Sequence, residues 1–180
     1  ILEFHANEDD PDGKKQTHLS MSIKGMTFFN ATVGINFPGS ELFSAPVLAS
    51  VEGQMYTPGY YIYHNTIMKN IYLKIKEGKI IEAFAEEGND HLQAILNRDG
   101  GARFIGEIAI ATNRGFRRRF LNAQLGEKPA GSFHIGIGKC YSFDKDENGD
   151  PINVDNGNYS SVHWDVSVMM IRNPDNSGGG

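Results

Sequence analysis

Asn70-Ile-Tyr-Leu-Lys-Ile-Lys-Glu-Gly-Lys-Ile-Ile-Glu-Ala-Phe84 constrains the fold more than any other stretch of the chain. Ile71, Leu73 and Ile75 alternate with Tyr72, Lys74 and Lys76, the period of a strand with one buried face. A second alternating segment follows Glu77-Gly78, so the two flanking segments read as a β-hairpin. Shorter strands are expected over 17–23, 31–35, 45–53 (ending at Gly53), 59–63 and 106–111, with a short helix over 90–96. The 129–141 segment reads either way. His134 and Tyr141 are seven apart, which is one face of a helix but opposite faces of a strand. Polar, turn-rich stretches over 8–15 and 144–158 are expected to be exposed loops. The class is α+β: mostly antiparallel β-sheet, barrel-like, with a few short helices.

The 180 residues suffice for one domain with its own core, and we expect a single domain over 1–180. A net charge of -5 argues against nucleic acid or an anionic membrane as partner. The single cysteine, Cys140, leaves no internal disulfide and suits a reducing compartment, so a cytoplasmic location is expected. No apolar run reaches the ~20 residues of a membrane helix. A start without Met and a Gly-Gly-Gly end read as a piece of a longer protein.

The chemistry concentrates in four places. In Ser161-Val-His-Trp-Asp-Val-Ser-Val-Met-Met-Ile171, strand periodicity puts His163, Asp165 and Ser167 on one face and Val162, Trp164, Val166 and Val168 on the other. An imidazole and a carboxylate side by side on a strand form a pair of metal ligands or a hydrogen-bonded surface pair. Glu41 lies in a Pro-Gly loop before an apolar segment. Glu107 interrupts the apolar run from Ile105 to Ala111. An unpaired charge buried there would cost several kcal/mol, so Glu107 needs water, a cation or a metal. His134 lies in Ser-Phe-His-Ile-Gly-Ile-Gly-Lys-Cys-Tyr141. Singly, these residues read as a loop carboxylate, an edge-strand glutamate and a core histidine.

Together, in order and spacing, they resemble a known family. Asn36-Phe-Pro-Gly-Ser-Glu-Leu-Phe-Ser-Ala-Pro46, Ala102-Arg-Phe-Ile-Gly-Glu-Ile-Ala-Ile110, Gly131-Ser-Phe-His-Ile-Gly-Ile-Gly-Lys-Cys-Tyr141 and Val162-His-Trp-Asp-Val-Ser167 resemble the ligand-bearing segments of the thermophilic metallo-aminopeptidases of the aminopeptidase T type. The resemblance runs from about Thr17 to Asp175. It implies a metallo-aminopeptidase catalytic domain without the family's N-terminal α/β domain and C-terminal hairpin. It implies metal ligands at Glu41, Glu107, His134, His163 and Asp165, with Tyr141 beside them. Two divalent ions (zinc, cobalt or manganese) would be bridged by Glu107 or Asp165 and would activate a water. Glu107 and Tyr141 are the catalytic candidates, Tyr141 as a donor to the oxyanion or as a neighbour of a metal. The implied substrate is a peptide with a free N-terminus, and the full-length protein is expected to be a homodimer. A domain of the same fold that binds without catalysing is the alternative.

Two further motifs have plainer readings. Arg114-Gly-Phe-Arg-Arg-Arg-Phe120 could hold phosphate or stack on bases, but it reads first as an exposed loop. Asp144-Lys-Asp-Glu-Asn-Gly-Asp150 resembles a calcium loop, yet the twelfth position is Asp155 and no helices are expected to flank it, so a solvated loop is expected.

Overall fold

The expected hairpin is the spine of the first of two sheets. In the computed structural model, which describes residues 1–6, 13–31, 36–116, 120–146 and 148–170, β6 (Thr66–Lys76) and β7 (Lys79–Glu87) pair antiparallel about Glu77 and Gly78. Those two residues have φ of 50° and 77°, as a type I′ turn requires. β5 (Glu52–Tyr63) pairs with β6 on the other side, through a turn at His64 and Asn65 that also has positive φ. β2 (Thr17–Met21) and β1 (Leu2–Ala6) complete the sheet in the order β1-β2-β5-β6-β7.

The second sheet is built from β3 (Phe29–Ala31), β4 (Glu41–Ser44), β8 (Ile105–Ala111), β9 (Ser132–Gly138) and β10 (His163–Met169). Its order is β10-β9-β8-β4-β3, and every pairing is antiparallel. Helix α1 (Asn89–Leu96) buries Leu92, Ile95 and Leu96, and α2 (Ala123–Gly126) is a single turn capped by the Asn122 side chain. The chain is therefore α+β and mostly antiparallel.

The sheets do not close into a barrel. They are two separate five-stranded sheets whose inner faces share one hydrophobic core. Phe4 of the first sheet stacks on Phe133 of the second at 4.3 Å between ring centroids. The Tyr61 hydroxyl donates to the Ser167 carbonyl at 2.6 Å across the same interface.

Two strand expectations change. The 45–53 segment is not one strand: Leu48–Ser50 forms a 3₁₀ turn, held by the Ser50 hydroxyl donating to the Val47 carbonyl at 2.6 Å. Gly53 lies inside β5 and does not end a strand. A Cβ there would fall 2.0 Å from the His18 carbonyl oxygen, so the glycine permits close approach of β2. The ambiguous 129–141 segment contains strand β9, and Tyr141 lies beyond its end, where face parity with His134 no longer applies. Of the 31–35 expectation, Ala31 ends β3 and residues 32–35 lie outside the described residues.

Candidate metal centre

The second sheet brings Glu41, Glu107, His134, His163 and Asp165 together on four adjacent strands, β4, β8, β9 and β10. Their common face is the one turned away from the shared core. Across the ladders, Glu107 and Asp165 both pair with Gly136, Ala109 and Ser167 both pair with His134, and His163 pairs with Gly138. The intervening Ile135, Ile137, Ile108, Trp164 and Val166 enter the core.

Glu107 reaches this face because of a register shift between Ile105 and Glu107. Ile105 pairs with Ile137, yet Glu107, two residues on, pairs with Gly136. Gly106 is thus an extra residue, and the bulge turns Glu107 over to the face opposite Ile105. Gly136 then leaves the space that the carboxylates use. A Cβ on it would fall 3.2 Å from both Glu107 Oε2 and Asp165 Oδ1.

His163 Nε2 lies 3.2 Å from Glu107 Oε2 and 3.4 Å from Asp165 Oδ1. Its Nδ1 lies 2.7 Å from the Lys139 carbonyl, to which Nδ1–H donates, so that Nε2 is aimed at the carboxylates. Glu107 Oε2 and Asp165 Oδ1 are buried and have no hydrogen-bond partner. Burial pushes the Glu107 carboxyl up, but His134 and His163 outweigh it and hold it at about 2. Burial and the Glu107 charge raise Asp165. Burial opposes the charged form of His163, but Glu107 and Asp165 prevail and hold it at about 10; for His134, Glu107, Glu127 and Asp165 do the same, at about 9.

A second group adjoins the first. Glu41, Glu127 and His134 are all buried and offer ligand atoms within 4.8 Å of one another, as do Glu107, His163 and Asp165. His134 Nε2 is 3.6 Å from Glu41 Oε2 and 3.6 Å from Glu107 Oε1, so it links the two. Sequence reasoning missed Glu127 and its neighbour Lys128. Lys128 has no exposed side-chain surface, and its Nζ pairs with Glu41 and Glu127. Burial, then Asp165, lifts the Glu127 carboxyl to about 7 against the pull of His134 and Lys128. Burial opposes the Lys128 charge, but Glu127 and Glu41 raise its pKa overall.

The donor set of carboxylate oxygens and imidazole nitrogens suits zinc, cobalt or manganese. The first group fits a divalent cation once His163 gives up its Nε2 proton: two buried carboxylate oxygens without hydrogen-bond partners lie within 4.8 Å of that nitrogen. Residues 12–177 match the family described as thermophilic metalloprotease (M29).

The chain belongs to the thermophilic metalloprotease family. Aminopeptidase T of Thermus thermophilus is 30% identical over 139 residues, 74% of this chain and 34% of the relative. Aminopeptidase 2 of Geobacillus stearothermophilus is 28% identical over 126 residues, 68% of this chain and 28% of the relative. The chain thus spans about a third of these relatives. The solved wild-type AmpT of Thermus thermophilus has the same fold, with a TM-score of 0.60 and 24% identity over 82% of this chain and 38% of that one.

In this thermophilic metalloprotease chain, Tyr141 walls the centre. Its ring lies 5.5 Å from that of His163 and 4.8 Å from that of Phe43. Burial, followed by the charges of Glu107, Asp165 and Glu41, drives its pKa far up, so it stays a phenol. Phe29, Phe43, Val154 and Phe143 form a small apolar cluster around it.

The remaining motifs stand apart. Arg117, Arg118 and Arg119 lie outside the described residues, as does Glu147 of the acidic loop. Asp146 turns that loop by accepting from the backbone N–H groups of Asn148 and Asp150. No described helix is long and apolar enough to cross a membrane.

Proposed function

We propose that this chain is the metal-binding part of an aminopeptidase, with Glu107, His163 and Asp165 as the primary ligands. The observation that carries the reading is the pair of buried, partnerless oxygens, Glu107 Oε2 and Asp165 Oδ1, converging with His163 Nε2 over Gly136. A divalent ion bound there would acidify a water and polarise the carbonyl of the scissile peptide.

The chain's own residues supply the rest. Glu107 directs Oε2 to His163 and Oε1 to His134, so it joins the two groups, as His134 does from the other side. The Lys139 carbonyl fixes the His163 ring. Tyr141, held as a phenol, can donate to the peptide oxygen as negative charge builds on it. A carboxylate of the centre would accept from the α-ammonium of a peptide, which would confine cleavage to the first residue. Two ions, as the family resemblance implies, would require the Glu41 group to accept one as well. We place the full-length protein in the cytoplasm as a homodimer, a reading supported by buried, unpaired Cys140 and by the family resemblance.

The test is release of N-terminal residues by the full-length protein, after loading with zinc, cobalt or manganese. A free peptide should be cut and its N-acetylated form spared. Glu107→Gln and His163→Ala should abolish turnover and lower metal content with the fold intact. Normal turnover in either variant overturns the assignment.

A further inference from the structure

The second ligand group already holds a cation. Lys128 enters it from the loop after α2, and its Nζ donates to Glu41 Oε2 at 2.5 Å and to Glu127 Oε1 at 2.7 Å. These are the carboxylates that, with His134, are spaced for a metal. An ion of the zinc type binds carboxylate oxygen at about 2.0–2.2 Å, so it would need the space between the same oxygens. The ammonium fills that space.

Burial makes the occupancy exclusive. The Lys128 side chain is 0% exposed, Glu41 5% and Glu127 7%. An ammonium is strongly hydrated and enters a protein interior only where carboxylates replace its water. Withdrawing it would leave two buried carboxylates without a counter-charge. The Pro129 ring that follows fixes its own φ and restricts the conformation of Lys128, which limits how far the segment can swing.

We infer that the Lys128 ammonium is the resident second cation of this centre, so that the chain loads one divalent ion, at Glu107, His163 and Asp165, and not two. The inference rests on the metal reading proposed above. An ammonium donates hydrogen bonds but cannot ligate a water or an amine. Glu41, Glu127 and Lys128 therefore set charge and position, and ligation of the reacting groups falls to one site.

The experiment counts bound Co²⁺ per chain by elemental analysis after equilibrium dialysis of the full-length protein. Wild type and Lys128→Met are compared, with circular dichroism to check folding. Wild type should hold one ion and Lys128→Met two. The metal-free variant should also melt lower than wild type and gain more in Tm from Co²⁺, because its Glu41 and Glu127 then lack a cation. Two ions in wild type overturn the inference while leaving the metal site standing. One ion in a folded Lys128→Met also overturns it. No ion in wild type overturns the metal reading itself. Should Lys128→Met not fold, Lys128→Gln takes its place, and the wild-type count still decides between one ion and two.

Discussion

Gly136 stands opposite Glu107 in the β8–β9 ladder, and a Cβ on it would fall 2.7 Å from the Glu107 Cβ. Gly136→Ala must therefore push Glu107 or the strand aside. We expect metal affinity to drop about tenfold or more, with a smaller loss of stability. Calorimetric titration with Zn²⁺, beside thermal melting of the metal-free protein, checks this. Unchanged affinity would mean that the carboxylates do not use the space over Gly136.

Gly106 is the extra residue of the bulge, and its added Cβ would lie 2.4 Å from the Gly138 carbonyl oxygen and 2.6 Å from that of Lys139. These are backbone atoms and cannot rotate away. Gly106→Ala should cost about 1–3 kcal/mol of stability and reduce metal content as well, since β8 must move against β9. Urea unfolding and elemental analysis of one preparation read both effects.

Asp99 anchors the entry to β10. Its carboxylate accepts from the Ser160 hydroxyl at 2.8 Å, from the Ser161 backbone N–H at 2.7 Å and from the Ser161 hydroxyl at 2.6 Å. These bonds, led by the Ser161 hydroxyl, hold its carboxyl well below the usual 3.8. A depressed pKa stabilises the fold above the unfolded value and ceases to do so as pH falls through the folded one. Asp99→Asn should thus melt below wild type near neutrality, and the gap should close in strong acid. A gap that stays constant with pH would show that the charge is not what matters.

Tyr61 joins the two sheets through one buried hydroxyl, donated to the Ser167 carbonyl. Tyr61→Phe removes that bond and should cost about 1 kcal/mol. Because Ser167 lies two residues beyond Asp165 on β10, metal affinity is expected to fall less than in Gly136→Ala. Denaturant midpoints and the same calorimetry give the comparison.

The parts of the fold legible in the sequence are those where local pattern and tertiary burial agree. The 70–84 hairpin, α1 and the His163–Asp165 face follow from periodicity because each has one core face and turn residues suited to its ends. β9 escaped because all seven of its residues are buried, which erases the alternation that marks a half-exposed strand. Glu107 was recognisable as an anomaly, a charge in an apolar run, but its direction depends on a bulge that periodicity cannot register. Glu127 and Lys128 were illegible for another reason. Their neighbours are Gly and Pro, the signature of an exposed turn, and only the long-range approach of Glu41 makes that turn an interior.

β9 has no solvent side. Ile135 and Ile137 face the core while His134 and Gly136 face the ligands, so one ribbon of seven residues is both keel and workbench. Tolerance of heat and chemical competence are for that reason hard to tune separately in this chain. A repacking of the keel, such as Ile135→Val, reaches the ligands through the same backbone, and an adjustment at the bench is felt in the hull.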